Sequence, residues 1–282
     1  MANSYLNIVT FLLTTIFYYL ALKPSLPYSS YKDKEKYKAY ISDHYMYLAI
    51  YVLLIIVIQF IVNSSIITST CGGNITENMG AAGVLTFLPW TLIFGVLVII
   101  LTVYPGFKSA FADVVGYFYV SSTANKLLTE LLINRDIEDK MSVDPSMTPE
   151  KKKALESAAD AIIKICGNTS VIINQIVPNN FEDYWQILTP LMKDTYKSGG
   201  EAMDKMKQDL FEIVVTRDNV GEALWYIYTG LLLTSIVQLK ITNRGCVTNP
   251  KTMADNYQKF LQEEEAAQQQ KENASTTYTI TT

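Results

Sequence analysis

Charge is missing from four long apolar stretches of this chain, and that constrains the fold more than any motif does. Tyr5–Leu22, Tyr47–Ile67, Ala81–Tyr104 and Ala223–Leu239 contain no Asp, Glu, Lys, Arg or His. A transmembrane helix needs about 20 mostly apolar residues to cross roughly 30 Å of hydrocarbon. An ionisable side chain at mid-bilayer costs about 2.5–3.5 kcal/mol on insertion scales, so a bilayer selects charge-free runs of this kind. Composition agrees: 49% of residues are hydrophobic and 18% charged, against about 25% charged in soluble domains. The expectation is an all-α, multipass membrane protein with about four transmembrane helices and a helical extramembrane domain. Ala223–Leu239 is the shortest span and the weakest. The alternative for it is a helix lying on the membrane surface.

Lysine bias orients the spans. The loop Lys23–Met46 carries Lys23, Lys32, Lys34, Lys36 and Lys38, whereas Thr68–Gly80 and the stretch before Tyr5 carry no Lys or Arg. Basic loops stay on the cytosolic side. The first loop is therefore cytosolic and the second lies on the far side. Residues 1–104 form a membrane region with three spans, and 105–222 form a helical cytosolic domain. Residues 223–239 are the fourth span, and 240–282 a polar, partly disordered tail. Lys240, Arg244 and Lys251 then fall on the wrong side for the charge rule, which counts against the fourth span. No basic residue precedes the first segment and no A-x-A-like site follows it, so it reads as an uncleaved anchor rather than a signal peptide. Tyr18, Tyr19, Tyr45, Tyr47, Trp225, Tyr226 and Tyr228 flank the spans as interfacial anchors, while Tyr51 and Trp90 also suit packing between helices. Pro89, inside the third span, predicts a kink.

Between the spans the pattern is helical. Phe111, Val114, Val115, Phe118, Leu127, Leu128, Leu131 and Leu132 recur at amphipathic spacing. Asn134–Pro145 reads as a loop. Thr148-Pro149-Glu150 opens a helix with Leu155, Ala158, Ala159, Ile162 and Ile165 on one face, ending near Gly167. Ser170–Val177 fits either a strand or a short helix. Asn180–Lys197 and Glu201–Val215 are further helices, separated by Gly199-Gly200. Asn219-Val220-Gly221-Glu222 has the form of a capping box that starts the fourth span. Gln258–Lys271 fits a frayed helix.

Chemistry is sparse. A single histidine and three cysteines cannot supply a multi-His metal site, and no two of the cysteines have zinc-finger spacing. No Walker loop, G-x-S-x-G, G-x-G-x-x-G or H-E-x-x-H occurs. We expect no catalytic, cofactor or metal residues and no enzyme activity. A net charge of −4 gives no field for nucleic acid. Cys71 and Cys246 fall on the same expected side of the membrane, so a disulfide and two free thiols both remain open. Cys166 reads as a packed thiol. Of the sequons, Asn74 and Asn273 alone would be accessible to glycosylation, with Asn63 at membrane depth.

The junction after the third span reads Tyr104-Pro105-Gly106-Phe107-Lys108-Ser109-Ala110-Phe111, then Gly116-Tyr117. It resembles a junction in virion membrane proteins of the nucleocytoplasmic large DNA viruses, of minor-capsid type. There an aromatic-Pro-Gly-aromatic step leaves the membrane and a Ser-x-Phe, Gly-Tyr helix follows. The likeness covers about fifteen residues and the general plan of spans around a helical domain. It implies a structural protein of the internal virion membrane, drawn from host endomembrane, with the lipid bilayer and capsid or other virion proteins as partners. Pro105 and Gly106 would then end the third span, and Phe107 and Phe111 would seat the next helix; with Tyr104 and the interfacial anchors Trp225 and Tyr226 they are the expected membrane-interface docking residues. A homo-oligomer is left open. The alternative function is a membrane channel or transporter, against which stands the lack of ionisable residues in the spans.

Overall fold

The computed structural model describes residues 5–72, 74–132, 168–197, 199–243, 246 and 250–275. Among these there is no strand, only one isolated bridge between Leu132 and Met192. The expected loop Asn134–Pro145, the helix at 148–167 with Cys166, and the last seven positions lie outside the described residues.

Helix α1 runs Leu6–Phe17 and widens into a π turn over Tyr18–Leu22. Lys23 is extended ahead of Pro24, which disfavours helix at the residue before it. After the short α2, Tyr28–Lys32, the Asp33 carboxylate accepts from the backbone amides of Glu35 and Lys36 and caps α3, Lys34–Cys71. At 1.5 Å per residue α3 is about 57 Å long, far more than a bilayer needs. It stops at Gly72, whose φ of 72° an L side chain resists. Helix α4, Ile75–Pro89, begins almost at once, making a tight hairpin where the sequence suggested a longer loop. A π turn, Trp90–Gly95, follows Pro89 and leads into α5, Val96–Val103. Local widening of this kind lets a span continue past a missing amide.

Three helical stretches are long and apolar enough to cross a membrane: Lys34–Cys71, Ile75–Val103 and Glu201–Asn243, with Leu6–Leu22 as a shorter apolar helix. Large aromatic residues fill the space between them. Phe11, Tyr18, Tyr51, Trp90, Phe94 and Tyr226 are all buried. Leu13, Leu20, Leu53, Ile61, Leu92, Ile99 and Leu239 point outward. An apolar exterior around a partly polar interior fits a lipid solvent. The fold is that of an all-α membrane protein.

Past Val103 the chain makes a 3-10 turn, Pro105–Lys108, then α6, Ser109–Phe111, a π turn, Ala112–Gly116, and α7, Tyr117–Leu131. Ser170–Val177 resolves as a helix, α8, Thr169–Gln175. The expected helix Asn180–Lys197 is broken: α9 is Phe181–Leu188, a 3-10 turn holds Pro190, and α10 is Asp194–Lys197. Gly199 and Gly200 sit at φ 79° and 106° and reverse the chain into α11.

Helix α11 departs most from the sequence reading. It runs unbroken over Glu201–Asn243, where a domain helix and a separate fourth span were expected. Asn219–Glu222 is mid-helix, not a capping box, because Gly221 is needed there for packing. A Cβ on Gly221 would meet the Ala112 Cβ at 2.7 Å and its backbone amide nitrogen at 2.8 Å. The span part of α11 is packed into the bundle by Tyr226, Gly230 and Leu233, with Gly230 lying under the Phe11 ring. The extramembrane core joins Leu128, Leu131, Ile173, Phe181, Trp185, Leu210 and Phe211, and it takes in Leu26 and Tyr28 from before α3. The first loop is therefore part of this domain, tied by the Tyr28 hydroxyl donating to Glu182 at 2.8 Å. Helix α12, Pro250–Ser275, is exposed wherever its side chains are described.

Candidate functional site

Sequence singled out an aromatic junction, and the structure assembles most of it. Tyr104 leaves helical geometry at φ −122°, and Pro105, with no amide to lose, opens the turn. The Trp225 indole donates to the Phe107 carbonyl at 2.8 Å. The Phe111 ring meets Trp225 edge-on at 5.0 Å and Tyr228 at 6.0 Å. Tyr104 and Phe107 stay exposed. Tyr226 does not belong here. It is buried on a neighbouring face of α11, 5.7 Å from both Tyr51 and Phe94. Adjacent helical residues are about 100° apart, so Trp225 and Tyr226 cannot face the same way. Tyr18 is likewise interior, stacked on Tyr51 at 4.3 Å, rather than interfacial.

Beside this junction lies a cluster that sequence reasoning missed. Lys23 at the end of α1, Lys108 in the 3-10 turn, and Asp218 and Glu222 on α11 converge. Glu222 takes Lys23 on one oxygen and Lys108 on the other, the latter at 2.8 Å. Lys108 also meets Asp218 at 3.0 Å, and the Tyr19 hydroxyl donates to Glu222 at 3.1 Å. The Lys23 and Glu222 side chains keep only 5% and 4% of their exposure. Burial alone would raise the Glu222 carboxyl, but Lys23 and Lys108 outweigh it and hold it well below the ordinary carboxylate range. Burial would lower Lys108, and its two carboxylates reverse that, so it is raised. Both are ionised at neutral pH. Burial pushes His44, nearby, down to about 4, with Lys23 adding to the effect, so it is neutral. A signal did exist: Lys23 and Glu222 are the first charges outside two spans that topology brings to the same membrane level.

One turn along, Arg217 is 1% exposed and donates to the Ile173 carbonyl. Its backbone carbonyl would lie 2.6 Å from a Cβ on Gly116, so glycine is required there.

A second polar group sits in the bundle. Asn7 donates to Asn63 at 2.9 Å and to Gln238 at 3.2 Å, and Asn63 donates to Thr86 at 2.8 Å. Gln59 donates to the Asn7 carbonyl at 3.0 Å. These bonds join α1, α3, α4 and α11. Asn63 is fully buried, with no room for a glycan. Thr14 and Thr15 bond to carbonyls of their own helix, and Thr15 also meets the Tyr51 hydroxyl at 2.9 Å. At the far end Cys71 and Cys246 are joined in a disulfide, with Cα atoms 5.1 Å apart. Among the described residues no three His, Cys, Asp or Glu side chains come together in a way that could hold a metal ion.

The fold and these sites define a class: an all-α, multipass membrane protein whose helical domain is keyed to its bundle by buried ion pairs. Comparison with protein families, curated proteins and solved structures finds no match.

Proposed function

We propose that this chain is a structural integral membrane protein, one that anchors a helical domain rigidly to a bilayer so that other proteins can dock on it. The observation that carries the reading is α11. It passes without a break from the domain core into the bundle, and Lys23, Lys108 and Glu222 lock it to α1 and the post-span turn where the two regions meet. A domain held so stiffly suits load transmission better than diffusion or turnover, and we assign it no enzymatic role. Lysine bias puts the domain on the cytosolic face. The finer reading is the internal membrane of a large DNA virus particle, acquired from host endomembrane, with capsid proteins as partners. It is supported by the Tyr104–Tyr117 resemblance.

The test is quantitative mass spectrometry of purified particles before and after mild detergent, followed by crosslinking from lysines on α11. High copy number that resists extraction, with crosslinks to shell proteins, is the expected result. Recovery in host membranes but not in particles would discard the virion reading and leave the anchoring role. The channel or transporter reading draws on the Asn7–Gln59–Asn63–Thr86 network inside the bundle. Ion flux in reconstituted liposomes would favour it.

A further inference from the structure

The Lys23–Glu222–Lys108–Asp218 cluster forms one wall of a cavity of about 240 Å³, which Tyr40 and His44 also line. Tyr45 and Thr102 line this cavity too, and the same two residues line an apolar groove of about 220 Å³ on the outer face of the bundle. The groove runs between α3 and α5, over Leu48, Val52 and Val98. Cavity and groove therefore adjoin at Tyr45 and Thr102. The groove lies along the second and third spans, and the cavity lies where those spans end.

Charge decides what suits it. The wall carries two ammonium groups and two carboxylates, which cancel. A guest with net charge would leave that charge uncompensated beside side chains already shut away from water, and a net-neutral guest would not. Yet the cavity offers separate binding features. His44 Nδ1 is buried without a partner and can donate to a phosphate oxygen. Tyr37 and Tyr40 line the cavity, and a tyrosine hydroxyl oxygen can accept a hydrogen bond from an ammonium group. We propose that the adjoining cavity and groove together bind one zwitterionic glycerophospholipid from the surrounding bilayer, an acyl chain in the groove and the phosphate and ammonium in the cavity. The inference rests on the membrane placement and adds to it a specific lipid class. A lipid bound there bridges α3 and α5 beside the buried cluster.

The test uses the full chain, extracted in mild nonionic detergent from membranes that contain both zwitterionic and anionic phospholipids, and native mass spectrometry. The expected result is about one zwitterionic phospholipid retained per chain. Thr102→Trp fills the groove and lowers retention about tenfold, the loss expected for roughly 1.4 kcal/mol. Ala49→Trp, on the same groove, is the second variant. Helical circular dichroism and an intact Cys71–Cys246 link check that each variant is folded. No retained lipid, preferential retention of an anionic lipid, or unchanged retention in both folded variants would overturn the proposal. Alkaline carbonate extraction of the same membranes separates the two readings. Release of the protein would remove the membrane placement itself, whereas a protein that stays in the membrane without bound lipid removes only this site.

Discussion

Glu222 holds two lysines in a place with almost no water, so removing its charge strands Lys23 and leaves Lys108 with Asp218 alone. Breaking a buried ion pair on one side typically costs about 3–5 kcal/mol. Glu222→Gln is expected to destabilise the protein by that order in detergent, read as a lower denaturation midpoint, while Asp218→Asn costs less because Lys108 keeps Glu222. His44 gives the pH dependence. Its folded value of about 4 lies below the ordinary 6.5, so the folded state prefers the neutral ring. That preference contributes fully above pH 6.5 and is lost as pH falls towards 4, by about 3 kcal/mol in all. Thermal stability should fall across that window in the parent and fall less in His44→Gln, with Lys23, Lys108, Asp218 and Glu222 unchanged around it. Equal losses in both proteins would show that His44 does not govern the drop.

Helix α11 depends on close approach at two glycines. Gly221→Leu must push Ala112 away, and since its contacts include Ala112 backbone the neighbour cannot rotate clear. The expected outcome is a loss of about 1–3 kcal/mol, as for other overpacked sites, and faster protease cleavage between the span and the domain. Gly80→Leu, with nothing within 4 Å, is the control and should behave like the parent. The apolar spans were legible from sequence because a bilayer demands charge-free runs whatever they pack against. The continuity of α11 was not, because Asn219-Val220-Gly221-Glu222 carries a local stop-and-start signal that tertiary packing overrides. The direction Tyr226 faces was hidden for a related reason: aromatic enrichment near a span end does not reveal helical phase. Asn7, Gln59 and Asn63 lie in or beside recognised spans, yet their meeting needs the relative rotation of four helices, which periodicity does not supply. The first loop was less legible: its five lysines mark it as solvent-facing, whereas Leu26, Tyr28 and Tyr31 pack into or against the domain core.

At the scale of the molecule, the bundle is tied at both ends: by ion pairs on the domain side and by the Cys71–Cys246 link, which spans 175 residues of chain, on the other. Closing so long a loop is worth more than about 4 kcal/mol in the chain-entropy account. Cys71→Ser should lower the denaturation midpoint of the oxidised protein and leave that of the reduced protein nearly unchanged. Equal midpoints in oxidised parent and variant would mean that the link contributes nothing to the folded state. Topology is checked by labelling. A cysteine placed at Lys36 and one placed at Glu77 should react with impermeant reagents from opposite faces of sealed vesicles.

The unbroken α11 also acts as a ruler. From Glu201 to Glu222, the stretch before the expected span, it measures about 32 Å at 1.5 Å per residue. The Gly199-Gly200 end therefore stands no further than about that from the hydrocarbon edge, and less by whatever the helix tilts. If a protein shell docks at that end, the gap between lipid and shell is set by one helix length. Inserting a whole number of helical turns above Glu222 should then change the spacing without changing which face is presented.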